Sequence, residues 1–179
     1  LWCSLESVFV AGDISRQMPL VAKRFQKVDK DFVNIMGRTA DSAAFVLECC
    51  GNELLRTALP VMFEELEKCQ KSLEGYLETK RGAFPRFYFV SNPVLLQILS
   101  QGSDPLAIQP YYEKVFDSVS MVEHDKKDKT LIRELIARES GADERIALRR
   151  VVKAAGQIED WLTALLIEMR RTMKELCEE

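Results

Sequence analysis

The side chains that could support nucleophilic or metal chemistry in this 179-residue chain are one histidine and five cysteines. His124 lies in the run HDKKDK, which the sequence predicts to be a charged, solvated turn. A Ser-His-Asp or Cys-His nucleophile would have to use this histidine, and a catalytic base must be held in place by a third group. We therefore expect no catalytic residue of this kind.

The cysteines are odd in number and contain no CxxC pair, which is typical of structural thiols in a reducing compartment. The vicinal thiols could form a redox pair, but small buried thiols at the end of a short helix are favoured. A single histidine and the absence of suitably spaced ligand pairs argue against a zinc site. The cysteines are Cys3, Cys49, Cys50, Cys69 and Cys177.

Motifs for nucleotide binding and hydrolysis are missing from the sequence, which contains no GxxxxGK[ST], GxGxxG, GxSxG or HExxH. We expect no catalytic, cofactor-binding or metal-binding residue. The net charge of −3 argues against a nucleic-acid partner. No apolar run approaches the roughly 20 residues that cross a bilayer. The start lacks a signal peptide and an initiator Met, so we expect a fragment of a longer chain.

Amphipathic helices are predicted across the first eighty residues. Apolar residues recur at three- and four-residue steps in 1–10 and 19–37, and a short helix is expected at 42–50. The clearest segment is 59–80, with Pro60 in its first turn, where a missing N–H does no harm. Its spacing favours packing in a helical bundle over a coiled coil. The apolar positions are Met62, Leu66, Cys69, Leu73 and Tyr76.

The stretch RGAFPRFYFVSNP places four aromatic residues within six positions. Its alternation and its β-forming residues predict a strand at 84–90, with Phe87 and Phe89 facing a core and Phe84 and Tyr88 on the other side. The alternative is an exposed platform for stacking bases, which requires accompanying basic residues. Only Arg86 is present, so a packed strand is favoured.

The second half of the chain mixes short helices and strands before a final helix. A helix capped by Ser91 or Asn92 is predicted to follow the aromatic run, and a second proline-started helix to carry four apolar residues, Ile108, Tyr112, Val115 and Phe116. Residues 118–124 alternate as a strand does. The helix propensity of residues 131–140 indicates a helix. However, residues 131–140 and 145–153 flank a Ser-Gly-Ala-Asp sequence that resembles a hairpin turn, which would make both segments strands. The predicted final helix has one apolar stripe, Ile158, Leu162, Leu165, Met169, Met173 and Leu176.

The block KSLEGYLETKRGAFPRFYFVSNPVLLQILSQ resembles the linker of dynein heavy chains, which typically has a YLE-KR-x-x-FPRF[YF]F[LV]S segment before a helix with LLEIL. LWCSLESVF, DISRQMPLVAKRF and VDKDFVNIM resemble the preceding linker helices, and GQIEDWLTALLIEMRRTM resembles a later one. These sequences look most like those of axonemal outer-arm heavy chains of the gamma kind. The chain departs from the family after the Ser-Asn cap, where acidic residues are replaced by Pro-Val, and at ESGADER, where the family often has S-x-E-G-E.

The resemblance implies a mostly α fold with a small antiparallel β-sheet (α+β). Residues 131–140 and 145–153 would then be strands of a β-meander at about 118–153. The chain would be organised as a helical subdomain at 1–80, a mixed helix and sheet subdomain at 81–155 and a long helix at 156–179. It also implies a mechanical arm that bends across an AAA+ ring of the same heavy chain. ATP and Mg²⁺ would be bound downstream, and the microtubule track would be contacted through distant parts.

Further expectations concern location, partners and mechanics. The resemblance implies an axonemal location, other dynein-complex chains as further partners, and no nucleic acid or membrane. The predicted structural core comprises Phe84, Phe87, Phe89, Leu95, Ile98, Trp161 and Leu165, and Gly37 and Gly102 are candidate hinges. The alternative function is a free-standing helical interaction module that binds a partner through the stripe at 62–76 or 158–176.

Overall fold

The structure, a computed structural model, describes residues 1–9, 14–40, 50–102, 104–139 and 142–178. Helices predominate and one small antiparallel sheet accompanies them, so the fold class expected from the sequence is confirmed. The chain divides into two units, Leu1–Tyr76 and Leu77–Glu179, whose boundary falls inside one long helix. The division expected at residues 80 and 155 stays a prediction.

The first unit begins with α1 (Trp2–Phe9), α2 (Ile14–Gln17) and α3 (Pro19–Ala40). Their apolar faces pack together, and the rings of Phe9 and Phe25 stack with centroids 5.5 Å apart. α3 continues through Gly37, where the sequence predicted its end. A glycine inside a helix costs about 1 kcal/mol relative to alanine, which alone does not end a helix.

Helix α4 (Glu53–Ala83) starts six residues earlier than predicted and places Pro60 in its interior. The start is explained by Asn52, whose side-chain oxygen accepts hydrogen bonds from the backbone N–H groups of Leu54 and Leu55 at 3.0 and 3.3 Å. The buried face of α4 consists of Leu66, Cys69, Leu73 and Leu77. The helix predicted at 42–50 lies outside the described residues except for its last position.

The second unit continues from α4 into a 3₁₀ turn (Pro85–Phe89) and α5 (Asn92–Ser100). A further 3₁₀ turn (Gln109–Tyr111) leads into α6 (Tyr112–Phe116). The four apolar residues predicted for this second helical segment are all buried. The Phe116 ring faces that of Phe84, next to the first 3₁₀ turn, with centroids 6.2 Å apart.

The sheet is a meander of β1 (Met121–His124), β2 (Leu131–Glu139) and β3 (Ala142–Lys153), in that spatial order and all antiparallel. The strands implied by the family resemblance are confirmed. The helix that propensity alone indicated at 131–140 is wrong, because cross-strand pairing and burial of Ile132 and Leu135 outweigh intrinsic preference.

The final helix α7 (Ile158–Glu178) packs on β3 at a wide bulge, where Arg133 of β2 stands opposite residues 148–151. Glu168 accepts the backbone N–H of Arg150 at 2.7 Å, and Thr172 accepts that of Arg149 at 3.3 Å. These polar residues therefore face inward.

The apolar stripe predicted for α7 is consequently wrong beyond Leu165. Met173 and Leu176 are 39% and 42% exposed. The backbone N–H groups of the bulge need hydrogen-bond acceptors, and Glu168 and Thr172 provide them where methionine and leucine could not.

Candidate functional site: the aromatic turn and its anchors

The aromatic run forms a 3₁₀ turn, and the strand predicted at 84–90 is wrong. Backbone hydrogen bonds run from the N–H of Phe87 to the carbonyl of Phe84 at 3.0 Å and from Val90 to Phe87 at 3.1 Å. The side chains follow a period of three, so that Phe84, Phe87 and Val90 all face the core. The Phe84 and Phe87 rings meet edge to face with centroids 5.0 Å apart.

The turn points its other two aromatic rings outward. Phe89 was expected in the core and is 82% exposed, while Tyr88 is 57% exposed. The reason is the spacing at which side chains face the same way. In a strand residues two apart, such as Phe87 and Phe89, share a face, whereas in a 3₁₀ turn residues three apart do so.

Arg81, near the end of α4, fastens this turn to the helix. Its guanidinium donates to the carbonyls of Phe87 and Val90 at 3.4 and 3.2 Å and to the side-chain oxygen of Asn92 at 2.5 Å. The Arg81 side chain is only 14% exposed, so these bonds are largely shielded from water. One arginine thus satisfies acceptors on both sides of the exposed ring pair.

Arg86 is the one basic residue inside the aromatic run, and it is directed inward. Its guanidinium carbon lies 5.3 Å from the centroid of the Phe116 ring, and it donates to the carbonyl of Val115 at 3.2 Å. Arg86 therefore contacts an aromatic ring and a backbone carbonyl at the same time. An arginine committed in this way is not available to pair with a nucleic-acid phosphate.

A second anchor joins the same end of α4 to α7. Lys80 forms an ion pair with Glu159, and the two side chains are only 12% and 10% exposed. Lys80 also donates to the side-chain oxygen of Gln157 at 3.2 Å. Adjacent basic residues of α4 therefore bind two different elements of the second unit.

The other residues of the predicted core are buried. Besides Phe89, every one is at most 2% exposed: Phe84, Phe87, Leu95, Ile98, Trp161 and Leu165. Of the two candidate hinges, Gly37 lies inside α3, and no atom lies within 4 Å of where a Cβ would stand. Gly102 is packed closely, since a Cβ there would lie 3.3 Å from the Cβ of Ile158. A hinge at either glycine stays a prediction.

His124 was expected in a solvated turn and is instead buried, with 7% exposure. It is the last residue of β1, where it alternates inward with Val122. Neither ring nitrogen has a geometrically acceptable partner within the described residues, and burial lowers the pKa of His124. The strand period starting at Val122 was the missed signal.

The cysteines described by the structure are free thiols: Cys3, Cys50 and Cys177 are exposed, and Cys69 is buried. Burial raises the pKa of Cys69, which favours an inert thiol. The expectation of a buried vicinal pair is wrong at Cys50, because the short apolar run could not indicate which face is covered. Cys49 lies outside the described residues.

Within the described ranges, no group of three or more His, Cys, Asp or Glu side chains could hold a metal ion. No helix in the same ranges is sufficiently long and apolar to span a membrane.

The whole chain, residues 1–179, matches the model of the family described as dynein heavy chain, N-terminal region 2. The chain therefore belongs to this family. It is 48% identical over 166 residues to dynein axonemal heavy chain 8 of Homo sapiens, covering 93% of this chain and 4% of that protein. It is 45% identical over 174 residues to dynein axonemal heavy chain 5 of Rattus norvegicus, covering 97% and 5%.

A third relative agrees with the subtype that the sequence suggested. The chain is 41% identical over 177 residues to the dynein gamma chain of the flagellar outer arm of Chlamydomonas reinhardtii, covering 98% of this chain and 4% of that protein. In each of these cases the chain spans only about one-twentieth of the relative or less.

Proposed function

We propose that this chain is a segment of the linker of an axonemal dynein heavy chain, a mechanical arm that bends across the AAA+ ring and transmits ATP-driven force. The observation that carries the proposal is the family match along all 179 residues. The relatives named as axonemal or flagellar chains support an axonemal location. The segment itself is non-catalytic, and ATP and Mg²⁺ bind to the AAA+ modules elsewhere in the heavy chain.

The packing of the second unit supports a force-bearing role. Its core side chains, among them Phe84, Phe87 and Leu165, are at most 1% exposed, and a close-packed interior transmits strain with little compression. The end of α4 is tied to the aromatic turn by Arg81 and to α7 by Lys80. A load on α4 would therefore reach both elements through short, shielded polar contacts.

The partners follow from the same proposal. The arm contacts the AAA+ ring of its own heavy chain, and the microtubule is reached through distant parts of that chain. Other chains of the dynein complex are further partners. Neither nucleic acid nor a membrane has a role. The family match does not favour the alternative of a free-standing interaction module.

The test is to substitute Lys80→Met in the full heavy chain and to measure ATP turnover and microtubule gliding in parallel. If the segment transmits force, gliding velocity falls several-fold while basal ATP turnover stays within about twofold. Lys68→Met is the matched control, because Lys68 pairs with Glu65 on the exposed surface of α4. Equal loss of turnover and gliding in Lys80→Met would contradict a purely mechanical role.

A further inference from the structure

The single histidine of the chain lies at the end of the shortest of the three strands. His124 is the last residue of β1, and it is 7% exposed. It alternates inward with Val122 on the same strand and stands opposite Ile132 of β2, and both of these neighbours are buried. The ring therefore lies on the apolar face of the sheet. Burial in apolar surroundings disfavours the charged form of an imidazole.

No polar group of the described residues holds the ring by a hydrogen bond, since neither nitrogen of His124 has a partner there. Burial lowers the pKa of His124, and the Lys129 ammonium acts in the same direction. The Lys129 backbone and the carboxylates of Glu123 and Asp104 favour the charged form, but they are outweighed. A proton taken up by the buried ring would therefore create a positive charge and a further N–H donor without adequate compensation.

The charged residues that follow Ile132 on β2 are paired elsewhere. Arg133 forms an ion pair with Asp125, in the turn after β1. Glu134 forms an ion pair with Arg145 of β3 at 3.7 Å. The charges that β2 brings close to this position are thus already balanced by partners other than His124.

Two helical elements pack on β1, the 3₁₀ turn Gln109–Tyr111 and α6. Their titratable residues are Tyr111, Tyr112, Glu113 and Lys114. Carboxyl, phenol and amino side chains ordinarily titrate outside the range of about pH 5 to pH 8, whereas imidazole titrates within it. Protonation of His124 is therefore the change that matters in this part of the fold as the pH falls below neutrality.

β1 is the strand that can open at the lowest cost. It has four residues, lies at an edge of the sheet and changes register between Glu123 and His124. Its outer edge is held by Gln109, whose amide donates to the carbonyl of Val122 at 2.8 Å and whose side-chain oxygen accepts the N–H of Val122 at 3.1 Å. Short elements at the edge of a fold open at a lower free energy than its core.

We propose that His124 is a pH-sensitive latch on β1: when the ring takes up a proton, residues 121–124 leave β2 and Gln109, and the imidazolium turns into water. β2 and β3 remain paired, because their ladder does not include β1. The edge of β2 around Leu135 is then uncovered. The latch is a property of the sheet, so it does not depend on whether the segment is a mechanical arm.

The test is backbone amide hydrogen exchange in the full heavy chain, read by mass spectrometry at about pH 7.5 and pH 5.5 and corrected for the intrinsic exchange rate. Peptides that cover β1 should lose protection by about five- to tenfold at the lower pH. The reason is that a group with an ordinary pKa of about 6.5 that is charged only in the open state favours opening by about tenfold over this range. Peptides from 142–153 and 158–178 should change by less than about twofold.

Two variants separate the titration from the packing of β1. His124→Leu removes the titrating group and suits an apolar face, so its β1 peptides should be equally protected at both pH values. Gln109→Leu removes the two hydrogen bonds to Val122. It should raise the exchange of β1 at both pH values and leave the ratio between them unchanged.

Three results would contradict the latch. Equal protection of β1 at the two pH values in the wild type would mean that the ring is accommodated in its charged form. A pH-dependent loss that persists in His124→Leu would assign the effect to another group. A loss of similar size in β1, β3 and α7 would mean that the whole unit opens together. Since none of these results depends on motility, the mechanical proposal keeps its own test.

Discussion

Lys80 and Glu159 are 79 positions apart in the chain and form an ion pair whose side chains are only 12% and 10% exposed. Lys80 lies near the end of α4, and Glu159 lies in the first turn of α7, where a negative charge also complements the helix dipole. Removing one of two charges withdrawn from water in this way leaves the other buried without its partner, which is strongly destabilising.

Lys80→Met should therefore destabilise the chain by about 3–5 kcal/mol, because it leaves the Glu159 carboxylate buried without its counter-ion. Urea unfolding followed by circular dichroism measures the loss. Lys68→Met removes an exposed pair with Glu65 and should change stability by less than about 1 kcal/mol. A Lys80→Met midpoint as high as that of Lys68→Met would show that the buried pair is not important for stability.

The two phenylalanines of the aromatic turn should respond in opposite ways to truncation. Phe87→Ala should cost about 3–5 kcal/mol, because Phe87 is fully buried and its removal leaves a cavity. Phe89→Ala should change the stability of the 179-residue chain by less than about 0.5 kcal/mol, because its ring is exposed. The measurement is the free energy of unfolding in urea. Equal losses of unfolding free energy in the two variants would favour the strand that the sequence predicted.

His124 should make the stability depend on pH. Burial lowers its pKa from the ordinary value of 6.5, and the surrounding charged groups are Glu123, Lys129 and Asp104. The unfolded chain therefore binds a proton more readily than the folded one, so this contribution is present above pH 6.5 and is lost as the pH falls below it.

Thermal melts of the wild type and of His124→Leu between about pH 7.5 and pH 5.5 would measure this effect. The wild type should lose more stability than His124→Leu as the pH falls across this range. Parallel curves for the two proteins would mean that His124 titrates alike in the folded and unfolded states.

Two glycines should give changes of opposite sign when replaced by alanine. Gly75 lies inside α4 with open space where a Cβ would stand, so Gly75→Ala should stabilise the chain by about 0.5–1 kcal/mol. Gly102→Ala would bring a Cβ to 3.3 Å from the Cβ of the buried Ile158 and should destabilise the chain. The measurement is the melting temperature of each variant. A higher melting temperature for both variants than for the wild type would mean that the start of α7 moves to make room for the added methyl group.

The helices and the buried face of α5 could be predicted because their signals are local. Apolar residues at helical spacing and a proline after a capping position are enough to place α3 and α5. The start of α4 has two competing local signals, the capping residue Asn52 and Pro60. Pro60 alone predicts a start that is six residues too late.

The aromatic turn was harder, because its residues fit two periods at once. Positions 84, 87 and 90 are apolar at a spacing of three, and the same run alternates at a spacing of two. The 3₁₀ turn is favoured over the strand by Arg81 of α4, which donates hydrogen bonds to the carbonyls of Phe87 and Val90. No pattern within six residues carries that information.

The polar inner face of α7 depends on a partner still farther away. Glu168 and Thr172 face inward because the bulge of β3 presents two backbone N–H groups to them. A sequence pattern ranks glutamate and threonine as exposed unless the bulge is already known. The burial of His124 differs, because the alternation from Val122 would have predicted it.

The central claim is that this segment transmits force and does not hydrolyse ATP, and removing residues 1–179 from the full heavy chain tests it most directly. The measurement is ATP turnover and microtubule gliding by the same preparation, compared with the intact heavy chain. The account predicts that ATP turnover persists while gliding is lost. Gliding at the velocity of the intact chain would contradict it.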